Sequence, residues 1–267
     1  MRNARLAALA LAAILAAPAR AEEAPRPLRY DLTVDGVTTG AAVAATLTLS
    51  LLGSKLAPTS CLWCDPGPFD RNVAKALVWQ DRRAADLASS IIAEGVLPAG
   101  ILAFGLLSAS AAGDLGAWGV DTLLIAQAVS LSMVLNLSVK YLVGRERPYA
   151  FFGHDTGWVA TQERNQSFYG GHTSFSFATA TAAGTVFILR GYPGAGIVLG
   201  AGLGVAAFVG YLRMAAEMHY LSDVAVGAAA GALIGWAVPW IFHRQSDGGS
   251  PQPGSIFPAP GGIAIAF

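Results

Sequence analysis

The chain has 267 residues, 54% of them hydrophobic and only 13% charged, against about 25% charged in an ordinary soluble domain. Its 17 Lys and Arg balance 17 Asp and Glu, so the zero net charge gives no footprint of a nucleic-acid or other polyanion partner.

The first 21 residues run from Met1-Arg-Asn-Ala-Arg through an apolar stretch over 6–17 to Ala19-Arg-Ala21. That layout predicts a secretory signal peptide cleaved after Ala21, its apolar run being too short to span comfortably. Residues 22–88 then read as an exported N-terminal segment. Within it, 36–54 is uncharged but threonine-rich, with a strongly apolar part of only about a dozen residues; it crosses a bilayer, lies in the interface or packs obliquely. In the Cys61-Leu-Trp-Cys64 turn, export predicts a local disulfide rather than a zinc site, which needs two more ligands that the neighbourhood lacks.

Beyond residue 88 the absence of charge is the guide. Stretches without Asp, Glu, Lys or Arg cover 95–113, 122–139, 165–189, 191–212 and 224–242, each near the roughly 20 residues that cross a bilayer. They are rich in Gly, Ala, Ser and Thr, which let membrane helices approach closely. The prediction is an all-α membrane bundle of five to six transmembrane helices over 89–244, integral to a bacterial-type cell membrane. Glu94, Pro98 and Asp121 lie in or beside spans, and membrane carboxylates are functional candidates. From 245 to 267 the Gly-, Ser- and Pro-rich composition predicts a flexible tail, although 263–267 alternates like a strand.

Sidedness follows from parity. With the signal removed, the mature N-terminus starts outside, and the two crossings 95–113 and 122–139 return residue 140 to the exported face. A crossing at 36–54 would send it to the cytoplasm. Five spans with an exported site is the favoured arrangement. Arg71, Lys75, Arg82 and Arg83 pull the other way, accompanied by Asp70, Asp81 and Asp86.

The few charges of the membrane half collect in three blocks: Lys140-Tyr-Leu-Val-Gly-Arg-Glu-Arg147-Pro148, Tyr169-Gly-Gly-His172-Thr and Arg213-Met-Ala-Ala-Glu-Met-His219-Tyr-Leu-Ser-Asp223. Lys140, Arg147 and Arg213 can converge on one tetrahedral oxyanion, the guanidinium groups as forked donors and the ammonium as a point charge. The two histidines can exchange protons near neutral pH, and imidazole is also a competent nucleophile toward phosphorus. Asp223 lies four residues after His219, so a helix places both on one face and the carboxylate can orient the ring. All three blocks fall at span edges on one side, a polar site at one bilayer face. Phe151, Phe152 and Trp158 in the 149–166 loop either guide a lipid to it or anchor the interface.

Lys-x6-Arg-Pro, Gly-His and Arg-x5-His-x3-Asp resemble, in order and spacing, the three signature motifs of the type 2 phosphatidic acid phosphatase superfamily. That superfamily also includes bacterial non-specific acid phosphatases and vanadium haloperoxidases. The resemblance covers 140–223 and implies a lipid phosphatase that works without metal or other cofactor. It implies His219 as the nucleophile that becomes phosphohistidine, His172 as the acid for the leaving oxygen, and Asp223 as the group that orients His219. Lys140, Arg147, Arg213 and the Gly171 N–H are implied phosphate ligands. The substrate is a membrane-lipid phosphomonoester or diphosphate; phosphatidic acid, phosphatidylglycerol phosphate and undecaprenyl diphosphate present the same reacting group. An exported acid phosphatase, a vanadate-dependent haloperoxidase and a non-catalytic phospholipid-binding protein are the alternatives. Three departures bear on activity: Tyr169 and Gly170 stand where the family has Pro and Ser, and Leu212 where it has Ser. Gly170→Ser is therefore expected to be neutral or beneficial.

Overall fold

The computed structural model describes residues 25–154, 157–245, 256–259 and 262–265. The leader expected over 1–21 lies outside them.

Helix α1, Leu32–Leu51, starts where the Asp31 carboxylate accepts from the Thr33 and Val34 amides, filling the free donors of a first turn. Two short helices follow, α2 (Gly53–Leu56) and α3 (Gly67–Leu77). The next long rod starts at Asp81, whose side chain accepts from the Ala84 amide. It comprises α4 (Arg82–Ile91), a π turn over Ile92–Val96 and α5 (Leu97–Ala111). Pro98 explains the wide turn: without an N–H it cannot close an ordinary turn onto the Glu94 carbonyl.

Helix α6, Leu115–Val143, ends at Gly144, whose φ of 56° is the left-handed conformation that glycine accepts without penalty. The one-turn α7 (Pro148–Phe151) precedes α8 (Gly171–Arg190), α9 (Ala195–Ala215) and α10 (Leu221–Val238), which continues as a π turn over Pro239–His243.

Five of these rods are long and apolar enough to cross a membrane: Leu32–Leu51, Arg82–Ala111, Leu115–Val143, Ala195–Ala215 and Leu221–His243. The count matches expectation but the membership differs. The ambiguous 36–54 segment is a full helix within the set. The stretch expected to span at 165–189 is helical only from Gly171, and α8 falls outside the set. Its serines and threonines lower its hydropathy because it is the centre of the bundle: Thr173, Ser174, Ser176, Ala178, Ala180, Ala182 and Ala183 are all buried.

Close approach around α8 is a matter of small residues. Along α10, Gly227, Gly231 and Gly235 recur every fourth residue against the α8 backbone; a Cβ at Gly227 would come within 2.7 Å of the Gly170 carbonyl oxygen. On the other flank, a Cβ on Gly184 would come within 2.6 Å of Leu199 from α9. Apolar packing around Phe187, Leu124, Val186 and Ile101 fills the middle.

Cross-links show the direction of each rod. Tyr141 Oη donates to Leu49 O at 2.9 Å, and Gln127 Nε2 donates to Asp35 Oδ1 at 3.1 Å, so α1 runs parallel to α6. Asn136 reaches Tyr169 O at 2.9 Å while Arg190 Nε donates to Asp121 Oδ1 at 2.7 Å, so α8 runs back along α6. One end of the bundle therefore gathers the C-termini of α1, α6 and α9 and the N-termini of α4, α8 and α10. Asp121, flagged in the sequence, lies at the opposite end, bound to Arg190 and to Tyr192 Oη at 3.0 Å.

In the tail, Ile256–Ala259 and Gly262–Ile265 pair as an antiparallel hairpin, where the composition led us to expect no regular structure. The alternation at 263–267 was the pertinent signal.

Candidate active site

Helices α6, α8, α9 and α10 contribute to the gathered end through their first or last turns. Lys140 occupies the last turn of α6, and Arg147 immediately precedes α7, with Pro148 fixing its first position. Gly171 and His172 open α8, where the first amides have no intrahelical partner. Arg213 lies in the last turn of α9, and Asp223 in the first turn of α10 accepts from the Tyr220 amide at 2.8 Å.

Between α9 and α10 the chain turns at Glu217, φ 58°, and delivers His219 into the interior. Lys140, Arg147, Arg213, His219 and Asp223 are all buried. Lys140, Arg147, Arg213 and His172 all lie near enough for their charges to act on His219. Burial first, then these cations, hold His219 well below the ordinary histidine range, so it is neutral at pH 7. Neither ring nitrogen has a hydrogen-bond partner. Asp223 Oδ2 lies 3.9 Å from Nδ1, near enough for charge but beyond a hydrogen bond. A Cβ on Gly171 would lie 3.3 Å from Lys140 Nζ and 3.1 Å from Asn136 Oδ1, so glycine is what lets the backbone approach the lysine.

Carboxylates occupy the anion-seeking groups. Asp86 pairs with Arg213, which also donates to Ser89 Oγ at 3.1 Å. Glu163 pairs with Arg147 at 3.1 Å, and Glu94 lies 3.2 Å from His172 Nε2, with Ser90 Oγ at 3.3 Å. Asp86, Ser89, Ser90 and Glu94 thus form one polar face of the α4 rod turned to the site. The sequence reading singled out only Glu94. The signal was the spacing of polar residues at helical intervals, obscured because uncharged runs were used to mark helices.

Sequence reasoning also missed Arg145, inside the first block. Its guanidinium donates to Asp223 Oδ1 at 2.5 Å and to Asp70 Oδ2 at 2.8 Å. Cys61 and Cys64 form a disulfide, and the loop they close lies on this end of the bundle: the Leu62 amide donates to Gly144 O at 2.9 Å and the Glu146 amide to Trp63 O at 3.1 Å. Phe151 and Phe152 lie above α3, each under a cation, Arg71 and Lys75 respectively. Among the described residues, no group of three His, Cys, Asp or Glu side chains is placed to hold a metal ion.

Among solved structures, the chain is similar to a transmembrane PAP2-type phosphatidylglycerolphosphate phosphatase from Bacillus subtilis, with 19% identity over 74% of this chain and 93% of that one and a TM-score of 0.49. No curated protein sequence matches it. The family model described as PAP2 superfamily matches residues 121–247, a segment that contains all three charged blocks. The chain is thus similar to the PAP2 superfamily over residues 121–247, just under half of its length.

Proposed function

We propose that the chain is a lipid phosphatase that hydrolyses a phosphomonoester or diphosphate of a membrane lipid through a phosphohistidine. The observation that carries this reading is His219: a buried neutral imidazole with both nitrogens unengaged, set among Lys140, Arg147 and Arg213. A neutral imidazole among three cations has no structural purpose that an apolar side chain would not serve better, whereas it is what an attacking nitrogen requires.

In the first half-reaction, His219 Nε2 forms a bond to phosphorus as the P–O bond to the leaving group breaks. Lys140, Arg147, Arg213 and the amides at Gly171 hold the phosphoryl oxygens. Asp223, on the Nδ1 side, balances the positive charge that develops on the ring. His172, whose Nε2 faces Glu94 and Ser90, gives its proton to the departing oxygen. In the second half, His172 takes a proton from water, the water oxygen bonds to phosphorus, and the N–P bond breaks to release phosphate and restore His219. Asp86 and Glu163 must yield their arginines to the incoming phosphate, which offers a stronger, more highly charged acceptor.

We further infer that the site faces the exterior of the cell. The Cys61–Cys64 loop is hydrogen-bonded to residues 144–146, so disulfide and site share one side, and disulfides persist in oxidising compartments. Three long rods, α1, the α4–α5 rod and α6, precede Lys140, which puts residue 31 in the cytoplasm. A leader cleaved after Ala21 and an exported site are incompatible with that number of crossings, and the disulfide favours the exported site.

The test is phosphate release by detergent-purified protein from phosphatidic acid, phosphatidylglycerol phosphate, undecaprenyl diphosphate and p-nitrophenyl phosphate, with EDTA present. Release that disappears in His219→Ala is expected; release that requires added metal, or survives His219→Ala, would overturn the mechanism.

A further inference from the structure

Arg145 is 1% exposed and has more partners than any residue assigned to phosphate binding. Nη1 donates to Asp223 Oδ1 at 2.5 Å and to Ser222 Oγ at 2.7 Å, and Nη2 donates to Asp70 Oδ2 at 2.8 Å. Its planar group lies between two rings, 4.0 Å from the centre of Trp63 and 4.5 Å from that of Tyr220. Asp223 Oδ2 is held independently by Ser167 Oγ at 2.6 Å and the Tyr220 amide at 2.8 Å, and it is this oxygen that stands toward His219 Nδ1. The guanidinium thus fixes the far oxygen of Asp223 and aims the near one.

The charges in this cluster are Arg145, Asp70 and Asp223: one cation against two anions. Arg145 compensates the cost of burying the carboxylates, and one negative charge remains beside the imidazole to offset the positive charge that grows there as His219 attacks. A lysine could supply the charge but neither the fork nor the flat face that fits between two rings.

Trp63, one wall of this slot, comes from outside the PAP2 segment and is held by the Cys61–Cys64 ring. The Leu62 and Trp63 amides both donate to Gly144 O, at 2.9 and 3.4 Å, and Trp63 O accepts from Glu146. The two residues inside the disulfide are the ones that grip the chain on either side of Arg145.

We propose that Arg145 is a positioning residue for the Asp223–His219 pair, and that the Cys61–Cys64 disulfide, by seating Trp63 on Arg145, makes turnover depend on oxidation of that loop. The proposal rests on His219 as the nucleophile. A lipid phosphatase built this way is slow while its loop is dithiol and reaches full rate only after the loop is oxidised.

The experiment uses the intact protein in detergent, titrated with dithiothreitol, which reduces the disulfide to two thiols and is itself oxidised to its cyclic disulfide. Reduction should lower kcat by roughly tenfold to a hundredfold, the range for outer-shell orienting groups, with little change in KM, and re-oxidation should restore it. The Cys61→Ser/Cys64→Ser variant should be slow and indifferent to reductant. Arg145→Met should lower kcat and move the acid limb of its pH profile upward, because a cation near His219 is lost. Arg145→Lys should lower kcat but leave that limb in place; if Arg145→Met does not fold, Arg145→Lys and the reduced enzyme decide.

A reduced enzyme at full kcat overturns the redox part, and Arg145 variants with wild-type kcat and limb overturn the positioning part. His219→Ala separates this from the parent reading: activity that survives it overturns the nucleophile, whereas activity that needs His219 but neither Arg145 nor the disulfide overturns only the present proposal.

Discussion

His219 illustrates what burial does to a titrating side chain. Its ordinary value is near 6.5, and desolvation with three neighbouring cations lowers it. The imidazole, our proposed nucleophile, therefore stays unprotonated through mild acid, and kcat/KM should show no loss assignable to His219 between pH 7 and pH 6, a pH–rate profile being the check. For stability the sign is that of a depressed folded value: the contribution is intact above the unfolded value and declines as pH falls below it, because the unfolded chain takes the proton first. Glycine 170 gives a second test, and here the structure revises expectation. A Cβ there would lie 3.2 Å from Thr173 Oγ1 and 3.4 Å from the Asp223 carbonyl oxygen, so the serine usual in the family does not drop in freely. Gly170→Ser should cost about 1 kcal/mol of stability, the lower range for overpacking, read as a lowered thermal midpoint, instead of being neutral or beneficial. The charged residues that the motifs contain were legible in the sequence because their chemistry is concentrated within 140–223. Arg145 was not, although it sits between Lys140 and Arg147, because its meaning lies in Asp70, 75 positions upstream, and Asp223, 78 positions downstream.

At the scale of elements, helix type and number were legible because apolar runs without charge leave few options, while the boundaries and centre were not. The α4 rod begins at Arg82 although its first turns are charged, since Asp81 caps it and its polar face meets the site. Helix α8 reads as marginally apolar yet is the most enclosed, because its neighbours and not lipid surround it. Only the glycines spaced by four on α10 announce that contact. They give a sharp contrast: Gly231→Ala places a methyl against the Ser174 carbonyl of α8 and should destabilise the protein by roughly 3 kcal/mol, whereas Gly200→Ala on α9, with nothing within 4 Å of the new carbon, should be neutral or slightly stabilising. Thermal unfolding in detergent distinguishes the two; equal midpoints would mean that α8 and α10 are not in van der Waals contact.

For the molecule as a whole, the first helix decides which way the site faces. The sequence could not tell whether 36–54 crosses, because its threonines dilute the apolar signal. In the structure Thr38 and Thr46 are satisfied on the helix itself, donating to the carbonyls of Val34 and Ala42, and Thr39 is turned inward and buried, so the polar composition does not prevent the helix from facing lipid. With α1 a full rod, Lys140 is the third rod's end, and the disulfide loop lies at that same end. If the exterior is the oxidising side, single cysteines introduced as Gln162→Cys, in the loop beside Arg147, and Gly196→Cys, at the opposite end, should differ in intact cells. A membrane-impermeant maleimide should label the first from outside and reach the second only after permeabilisation. The reverse pattern would place the site in the cytoplasm, where the Cys61–Cys64 pair would be held reduced; the reductant dependence of kcat would then describe a state the cell maintains, and the enzyme would work there with its Arg145 slot loosened.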